Sequence, residues 1–497
     1  MGTFQFLEKA VEKNPDKPFI IHETGIYPCQ CRILTYKSFY EKVLRVASAL
    51  THLDIGYKDR VAVVLGNCPE TLICWLAANV VGATAAIVKP AHVQTWVGLD
   101  KQLKEIQPKL IIDPVNVETF LRGHPWGFHI NFHNNKNDDI ANIIYSSGTT
   151  GEPKGVMITH RAYTMCGEGF PYWLGLQGND VLYTCLSLAH INAQAYSFMG
   201  AIHLGATMII GSKFNGGENF WKKISANNAT IINMLGNMLQ DLWKKDSYRE
   251  ENFHCVGRIA TGEAIANADL HKQLEERFGA QVIVTYGSSE SPFGGFAMPL
   301  NSKKKGNNFI GLPKLHPQMP RNLFLASIVR EDRSMIQGQE GEVGELVVSN
   351  PSTSPGYWNN PRLTAEKFKM CFPTLKKYSH HYHTGDLIKF DDDGYAIYIG
   401  RKDDVGRVGG NLIAPREVES VLNAHPQVLE SAVIFPSNSL GEKIIEAHVV
   451  LKEKVSPEEL ESFCKDHLAV YQIPKKWVFR DSLPKTENGK LQRKSLY

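Results

Sequence analysis

Residues 145–155 read Tyr145-Ser146-Ser147-Gly148-Thr149-Thr150-Gly151-Glu152-Pro153-Lys154-Gly155. They follow the apolar, β-branched run 140–145 and place three glycines, four Ser/Thr hydroxyls and one lysine in eleven positions. Glycine lets backbone N–H groups approach an anion closely, hydroxyls donate hydrogen bonds, and an ammonium adds a point charge. Phosphate is the natural ligand of such a segment. Gly-Lys-Ser/Thr after four intervening residues is absent, which excludes the ordinary P-loop of kinases and ATPases.

Outward from this segment the chain alternates strands and helices. Upstream, 61–65 reads as a strand, Gly66-Asn67 as a turn and 69–81 as a helix. A strand at 84–88, a helix at 102–106 and a strand at 110–112 follow. This rhythm predicts parallel sheets covered by helices, and the fold class is α/β. Downstream, strands are predicted at 181–186, 207–210 and 282–285, most leaving toward loops rich in Gly, Ser or Thr, where ligands of open α/β sheets gather. After Gly344 the texture turns β-rich, with a strand at 345–348. From Asp403 on, helices at 417–422 and 457–467 suggest a separate small α/β unit. The expected division is a large N-terminal domain of several subdomains, 1–400, and a small mobile C-terminal domain, 401–497. At 497 residues, roughly 150 per domain allows about three units.

Hydrophobic residues make up 43% and charged residues 21% of the chain, the balance of a globular protein with a large core. The net charge of +3 arises from 54 basic and 51 acidic residues, so no nucleic acid partner is expected. Lys303-Lys304-Lys305 reads as a solvated loop. The nine cysteines show no paired metal-type spacing, as fits reduced thiols in a cytoplasm. The start of the chain lacks the pattern of a secretory signal. Phe6 stands where a myristoylation signal wants Ser or Thr, and no apolar run approaches a membrane-spanning length, so neither secretion nor an integral membrane segment is expected.

Further segments fall in a telling order: Tyr286-Gly287-Ser288-Ser289-Glu290, Tyr382-His383-Thr384-Gly385-Asp386, Gly400-Arg401-Lys402-Asp403-Asp404, the run from Gly409-Gly410-Asn411 to Glu419, and Pro484-Lys485-Thr486-Glu487-Asn488-Gly489-Lys490. With residues 145–155 they resemble the adenylate-forming superfamily, which contains acyl-CoA synthetases, adenylation domains of peptide synthetases and firefly luciferase. The resemblance spans nearly the whole chain.

It implies that Ser146, Ser147, Gly148, Thr149, Thr150 and Gly151 cradle phosphates of ATP with Lys154. It also implies that Tyr286 stacks on adenine beside Gly287 and Ser288, that Ser289 meets the α-phosphate, and that Glu290 holds Mg2+. Gly262, Glu263 and Ala264 would line adenine and the base of the acyl pocket, Asp386 would accept both ribose hydroxyls, and Arg401 would contact the nucleotide. Asp403 would be the hinge of the small domain. Gly409 and Gly410 would approach the pantetheine arm of CoA, and Lys490 would reach the reacting carboxylate during adenylation. Ser289 replaces the family's usual Thr but keeps the hydroxyl. Gly406 and Arg407 stand where the family has apolar β-formers, so a weak strand is expected there. His380, His381 and His383 read as loop histidines, because no second ligand cluster accompanies them.

The resemblance implies an ATP- and Mg2+-dependent carboxylic acid:CoA ligase that passes through an acyl-adenylate. In Ala189-His190-Ile191-Asn192-Ala193-Gln194, His190 stands where amino-acid-activating relatives place an aspartate for the α-ammonium. A non-amino-acid carboxylate follows, and the string looks most like fatty-acid and crotonobetaine/carnitine CoA ligases. Met234, Leu235 and Met238 are candidates for an apolar wall of the acyl pocket. Other readings of the same motifs are a standalone adenylation enzyme loading an acyl carrier protein, a luciferase-like oxygenase, and a nucleotide-binding homologue without turnover.

Overall fold

The computed structural model describes residues 2–23, 33–90, 96–122, 127–147, 153–212, 214, 220–244, 255–262, 264–265, 268–321, 324–329, 335–336, 341–369, 381–485 and 491–497. The elements are mixed α/β. One sheet has five strands in the order Leu110–Ile112, Arg60–Val63, Thr84–Ile87, Ile140–Ser147 and Pro153–Thr159. The first four are parallel and the last folds back antiparallel. The crossover helix Pro69–Val80 is buried at every residue, which fits its largely apolar sequence; Glu70, Thr71 and Asn79 are the buried polar exceptions.

The second sheet has fifteen strands. Its parallel half runs Pro18–His22, Thr207–Ile210, Val181–Thr184, Ile231–Met234, Arg258–Thr261 and Gln281–Ser288. Beyond Gln281–Ser288 the neighbours are antiparallel: Ser291–Ala297, Phe309–Pro313, Ala396–Arg401, His381–Phe390, Gly344–Ser349 and Leu325–Val329. The strand Gln281–Ser288 therefore joins the two halves. Helix His160–Leu174 packs on Ser291–Ala297. Thr159 caps this helix by accepting from the Ala162 N–H, and Gly175, at φ 59°, ends it in the left-handed conformation.

Most predicted elements are present with ends shifted by a residue or two. Two shifts matter: the strands expected at 140–145 and 282–285 run on to Ser147 and Ser288, so half of each predicted binding loop is strand.

The principal core draws on residues from Phe4 to Ala396. A separate one, with Ile413, Val418, Leu422, Val433, Val449 and Leu460, lies under the sheet Val428–Ile434, Glu446–Leu451, Lys476–Phe479 and helices Pro415–Ala424 and Pro457–His467. The strand at Gly406, expected to be weak, is three residues long and lies in a two-stranded sheet. Gly406–Val408 pairs residue for residue with Asn411–Ile413 across Gly409 and Gly410, at φ 56° and 82°, as a two-residue hairpin turn requires. Gly406 itself lies under Phe435, where a Cβ would come within 2.2 Å of the ring. Its lack of a side chain is a packing requirement. The lysine run is corrected: Lys304 pairs with Asp391 and Asp393, and Lys305 Nζ lies 2.8 Å from Glu275.

Candidate active site

The hairpin formed by Gln281–Ser288 and Ser291–Ala297 has Ser289 and Glu290 at its tip. Ser288 faces Ser291, yet Tyr286 faces Phe296, so the second arm bulges between these pairs. Gly294, at φ 74°, sits in the bulge, and any Cβ there would lie 2.1 Å from the Tyr286 carbonyl oxygen. Ser288 Oγ accepts from the Ser291 N–H at 3.3 Å, tightening the turn.

Tyr286 Oη donates to Asp386 Oδ2 at 2.5 Å, while Arg401 Nη1 donates to Asp386 Oδ1 at 3.0 Å and to the Thr384 carbonyl at 2.8 Å. Tyr398 Oη lies 3.4 Å from the same Oδ1. Asp386 and Arg401 are paired across adjacent antiparallel strands, the cross-strand register that brings an ion pair face to face. Burial works against the charge of Arg401, but Asp386 beside it moves the guanidinium above its ordinary value. The phenol of Tyr286 is pushed well up, first by burial and then by the Asp386 charge, so it is a hydrogen-bond donor at any working pH.

Glu290 is buried, and Tyr357 Oη donates to its Oε1 at 2.9 Å. Lys154 lies on the strand Pro153–Thr159, opposite Ser146. Burial lowers the Lys154 ammonium from its ordinary value, and the charge of Glu290 opposes that drop. One segment, 350–358, stitches strand to hairpin. Asn350 Nδ2 donates to Ser291 Oγ at 3.2 Å, Ser352 Oγ accepts from the Phe293 N–H at 3.1 Å, the Ser354 N–H donates to the Glu290 carbonyl at 2.8 Å, and Ser354 Oγ donates to the Met157 carbonyl at 2.7 Å. Trp358 N–H closes the join on the Gly155 carbonyl at 2.7 Å.

The structure thus brings Lys154, Tyr286, Glu290, Asp386 and Arg401 to one end of the hairpin. Ser146 and Ser147 end the strand that leads into residues 148–152. Gly148, Thr149, Thr150, Gly151, Glu263 and Lys490 lie outside the described residues. Gly262 and Ala264 follow the strand Arg258–Thr261. Asp403 is exposed in the turn after Arg401, and neighbouring Asp404 lies 3.8 Å from Arg493. Gly409 and Gly410 are exposed, with no non-neighbouring atom within 4 Å of an added Cβ, so this structure does not dock them against the hairpin. His190 is half-buried beyond the strand Val181–Thr184, its N–H donating to the Ser187 carbonyl at 2.9 Å.

The loop reading of the histidines is corrected for two of them. His381 and His383 lie on the strand His381–Phe390, and His383 stands 3.8 Å from Glu345; His380 lies outside the described residues. Met234 is buried in the core, and Leu235 and Met238 pack against it. Among the described residues no group of three or more His, Cys, Asp and Glu side chains is placed to hold a metal. Glu290 itself is a buried carboxylate of the kind a hard cation such as Mg2+ takes as an oxygen ligand. The sequence reading missed Tyr357, Tyr398 and the 350–358 stitch. The signal available was Ser352 to Tyr357, a run of hydroxyls interrupted by Pro355 and Gly356 and too polar for a plain strand.

A family model described as AMP-binding enzyme matches residues 7–358, and one described as AMP-binding enzyme C-terminal domain matches residues 417–490. The chain belongs to the AMP-binding enzyme family. It is 25% identical to a crotonobetaine/carnitine–CoA ligase of Citrobacter koseri, covering 94% of this chain and 93% of that one. It is 27% identical to a 2-succinylbenzoate–CoA ligase of Bacillus licheniformis, covering 99% and 98%. An anthranilate CoA ligase solved in complex with anthranoyl-AMP superposes with a TM-score of 0.87 at 20% identity, over 100% of this chain and 96% of that one. The o-succinylbenzoate CoA synthetase of Bacillus subtilis, solved with ATP and magnesium ion, superposes at 0.84 and 24% identity, over 99% and 98%. The fold of this family member is that of the adenylate-forming enzymes, with a large N-terminal and a smaller C-terminal domain.

Proposed function

We propose that this protein is an AMP-forming acid:CoA ligase, which joins a carboxylic acid to ATP as an acyl-adenylate with loss of pyrophosphate and then passes the acyl group to the thiol of CoA. The observation that carries this reading is the convergence of Lys154, Tyr286, Glu290, Asp386 and Arg401 at one end of a braced hairpin. In the first step both reactants are anions, so catalysis rests on positioning and on charge placed where phosphate oxygens develop it.

Asp386 anchors the ribose, because its carboxylate accepts only and has lone pairs beyond those used by Tyr286 and Arg401. The half-exposed ring of Tyr286 offers adenine a face, and its hydroxyl keeps Asp386 in place. The hydroxyls of Thr149, Thr150 and Ser289 and the ammoniums of Lys154 and Lys490 meet phosphate oxygens and the reacting carboxylate. Glu290 would hold Mg2+, which when bound would supply charge neutralisation at the phosphates. For the second step, the proposed 401–497 domain turns about Asp403, withdrawing Lys490 and bringing Gly409 and Gly410 to the thiol.

The acid is a non-amino-acid carboxylate such as a fatty or carnitine-like acid. Support comes from His190, a side chain with no fixed negative charge to pair with an α-ammonium. The relatives named above act on chemically different acids, so a panel is the right test. Pyrophosphate release is measured with ATP and Mg2+ across fatty, betaine-like, aromatic and amino acids, with and without CoA. Acid-dependent release with acyl-CoA formation supports the reading and names the acid. Release from amino acids alone overturns the substrate class. Release without acyl-CoA moves the acceptor to a carrier protein, and no release across the panel overturns the ligase reading. The working compartment is taken to be the cytoplasm; among the described residues no helix is long and apolar enough to cross a membrane.

A further inference from the structure

Among the described residues Lys314 is the one buried lysine, only 4% exposed. Its ammonium donates to the main-chain carbonyls of Tyr286 at 3.2 Å and Phe293 at 3.4 Å. It also sits over the rings of Trp173, 4.3 Å from the centroid, and Tyr196, at 5.4 Å. Those two carbonyls belong to opposite arms of the 281–297 hairpin, Tyr286 on the regular arm and Phe293 within the bulged stretch 292–295 of the other. A buried carbonyl without a partner is costly, and an ammonium with three donors can serve both arms at once. Gly294 completes the fit, since a Cβ there would lie 3.1 Å from Lys314 Nζ.

We propose that Lys314 is a positioning residue for adenylation, whose ammonium clamps the bulge through the Tyr286 and Phe293 carbonyls and thereby sets where Ser289 and Glu290 stand at the hairpin tip. The proposal rests on the ligase reading above. Lys314 touches neither tip residue and acts through the backbone that carries them.

Burial also pulls the Lys314 ammonium down to about 7, so the charge that strengthens the clamp is half lost near neutral pH. Loss of the proton leaves two N–H donors for two carbonyls and removes the charge that the aromatic rings hold. The titratable groups around it are Cys166 on the helix His160–Leu174, Tyr196 on the π-helix Asn192–Phe198 and Tyr286 on the hairpin; two residues further along its own segment, His316 Nε2 lies 2.8 Å from Glu168. Burial lowers the His203 imidazole from its ordinary value, and the charge of Glu168 opposes that drop. Burial pushes the Cys166, Tyr196 and Tyr286 groups well up, out of the neutral range.

The sign separates positioning from plain folding. A lysine at about 7 when folded and about 10.5 when unfolded binds fewer protons in the native state between those values, so its contribution to stability rises with pH there. Activity should move the other way, falling as pH rises through about 7. The test measures kcat/KM for MgATP by pyrophosphate release from pH 6 to 9, with thermal midpoints on the same samples, for wild type, Lys314→Met and Lys314→Arg. Expected are a wild-type fall across neutral pH and, in Lys314→Met, a loss of about 100-fold at pH 6 with that fall gone, since small misplacements of catalytic groups cost that much. KM values for the acid and CoA should stay within about twofold, because only the hairpin tip shifts. Lys314→Arg, which keeps its charge, should lose the fall while retaining more activity than Lys314→Met.

A wild-type profile without a fall across neutral pH overturns the proposal, and needs no variant to fold. So does a Lys314→Met enzyme that is folded, active and still pH-dependent like wild type. No acid-dependent release from wild type would instead refute the ligase reading itself.

Discussion

Replacing Asp386 by Asn tests the nucleotide site most directly, because the side chain keeps its size and loses its charge. In the free protein its two oxygens take hydrogen bonds from Tyr286 at 2.5 Å and Arg401 at 3.0 Å. Asp386 and Arg401 side chains are 13% and 26% exposed, so solvent screens them little. Removing the charge from one member of a partly buried pair should cost about 1–3 kcal/mol of stability, near the lower end for buried pairs because Arg401 also has the Thr384 carbonyl. On the nucleotide, two ribose hydroxyls change from a charged to a neutral acceptor. At roughly 1.5 kcal/mol each the loss is about 3 kcal/mol, or roughly 150-fold in kcat/KM for ATP. The assay is pyrophosphate release against ATP and 2′-deoxy-ATP for wild type and Asp386→Asn, with thermal midpoints for both. Wild type should discriminate strongly against the deoxynucleotide and the variant should discriminate little, since the partner of the missing hydroxyl is already weakened. Equal discrimination by the two proteins would refute the ribose assignment, whatever the variant's overall rate.

Lys490→Ala should abolish acid-dependent pyrophosphate release while thiol transfer from a supplied acyl-adenylate persists; single-turnover assays of each half-reaction separate the two. Gly406→Ala forces a methyl into the Phe435 ring and should cost about 1–3 kcal/mol by denaturant unfolding, with adenylation kinetics in the folded protein unchanged. Burial works against the Glu345 charge, but hydrogen bonds and charge from His383 and Lys402 outweigh it and hold the carboxyl at about 2. Its folded value is thus below its unfolded one, so the stability it contributes is complete above about 4.5 and is lost as pH falls toward 2; Glu345→Gln should flatten acid unfolding in that window by up to about 3 kcal/mol.

The periodic elements were legible because their signals are local. The run Leu110–Ile112 and the helix Pro457–His467 came out at the expected residues, the latter opened by Ser456, whose side chain accepts from the Glu459 N–H, and by Pro457. The helix at 102–106 was read too short: it begins at Trp96. The meeting of Asp386 and Arg401 was implied only by motif order; the register that pairs them depends on strands closing across the sheet, which no local pattern contains. Lys314 was illegible for a related reason. A lysine after Pro313 reads as surface, and only the bulge at Gly294, the Trp173 ring and two distant carbonyls make a buried place for it. The packing demand on Gly406 was not legible because its neighbour in space, Phe435, is remote in sequence.

The Tyr286–Asp386 bond reconciles the two roles proposed for these side chains, adenine stacking and ribose anchoring, which compete on paper. A tyrosine stacked on adenine must hold its ring in one plane, and a ribose anchor must keep its carboxylate in one place. If Tyr286 were held only by its backbone, rotation about its side-chain bonds would have to be frozen out on each binding event, and Asp386 would be free to turn toward Arg401 alone. With the phenol tied to Oδ2 and Arg401 to Oδ1, both are ordered before the nucleotide arrives. The entropy of arranging the site is then met during folding rather than at binding, and the antiparallel strands that carry Asp386 and Arg401 hold the two side chains face to face.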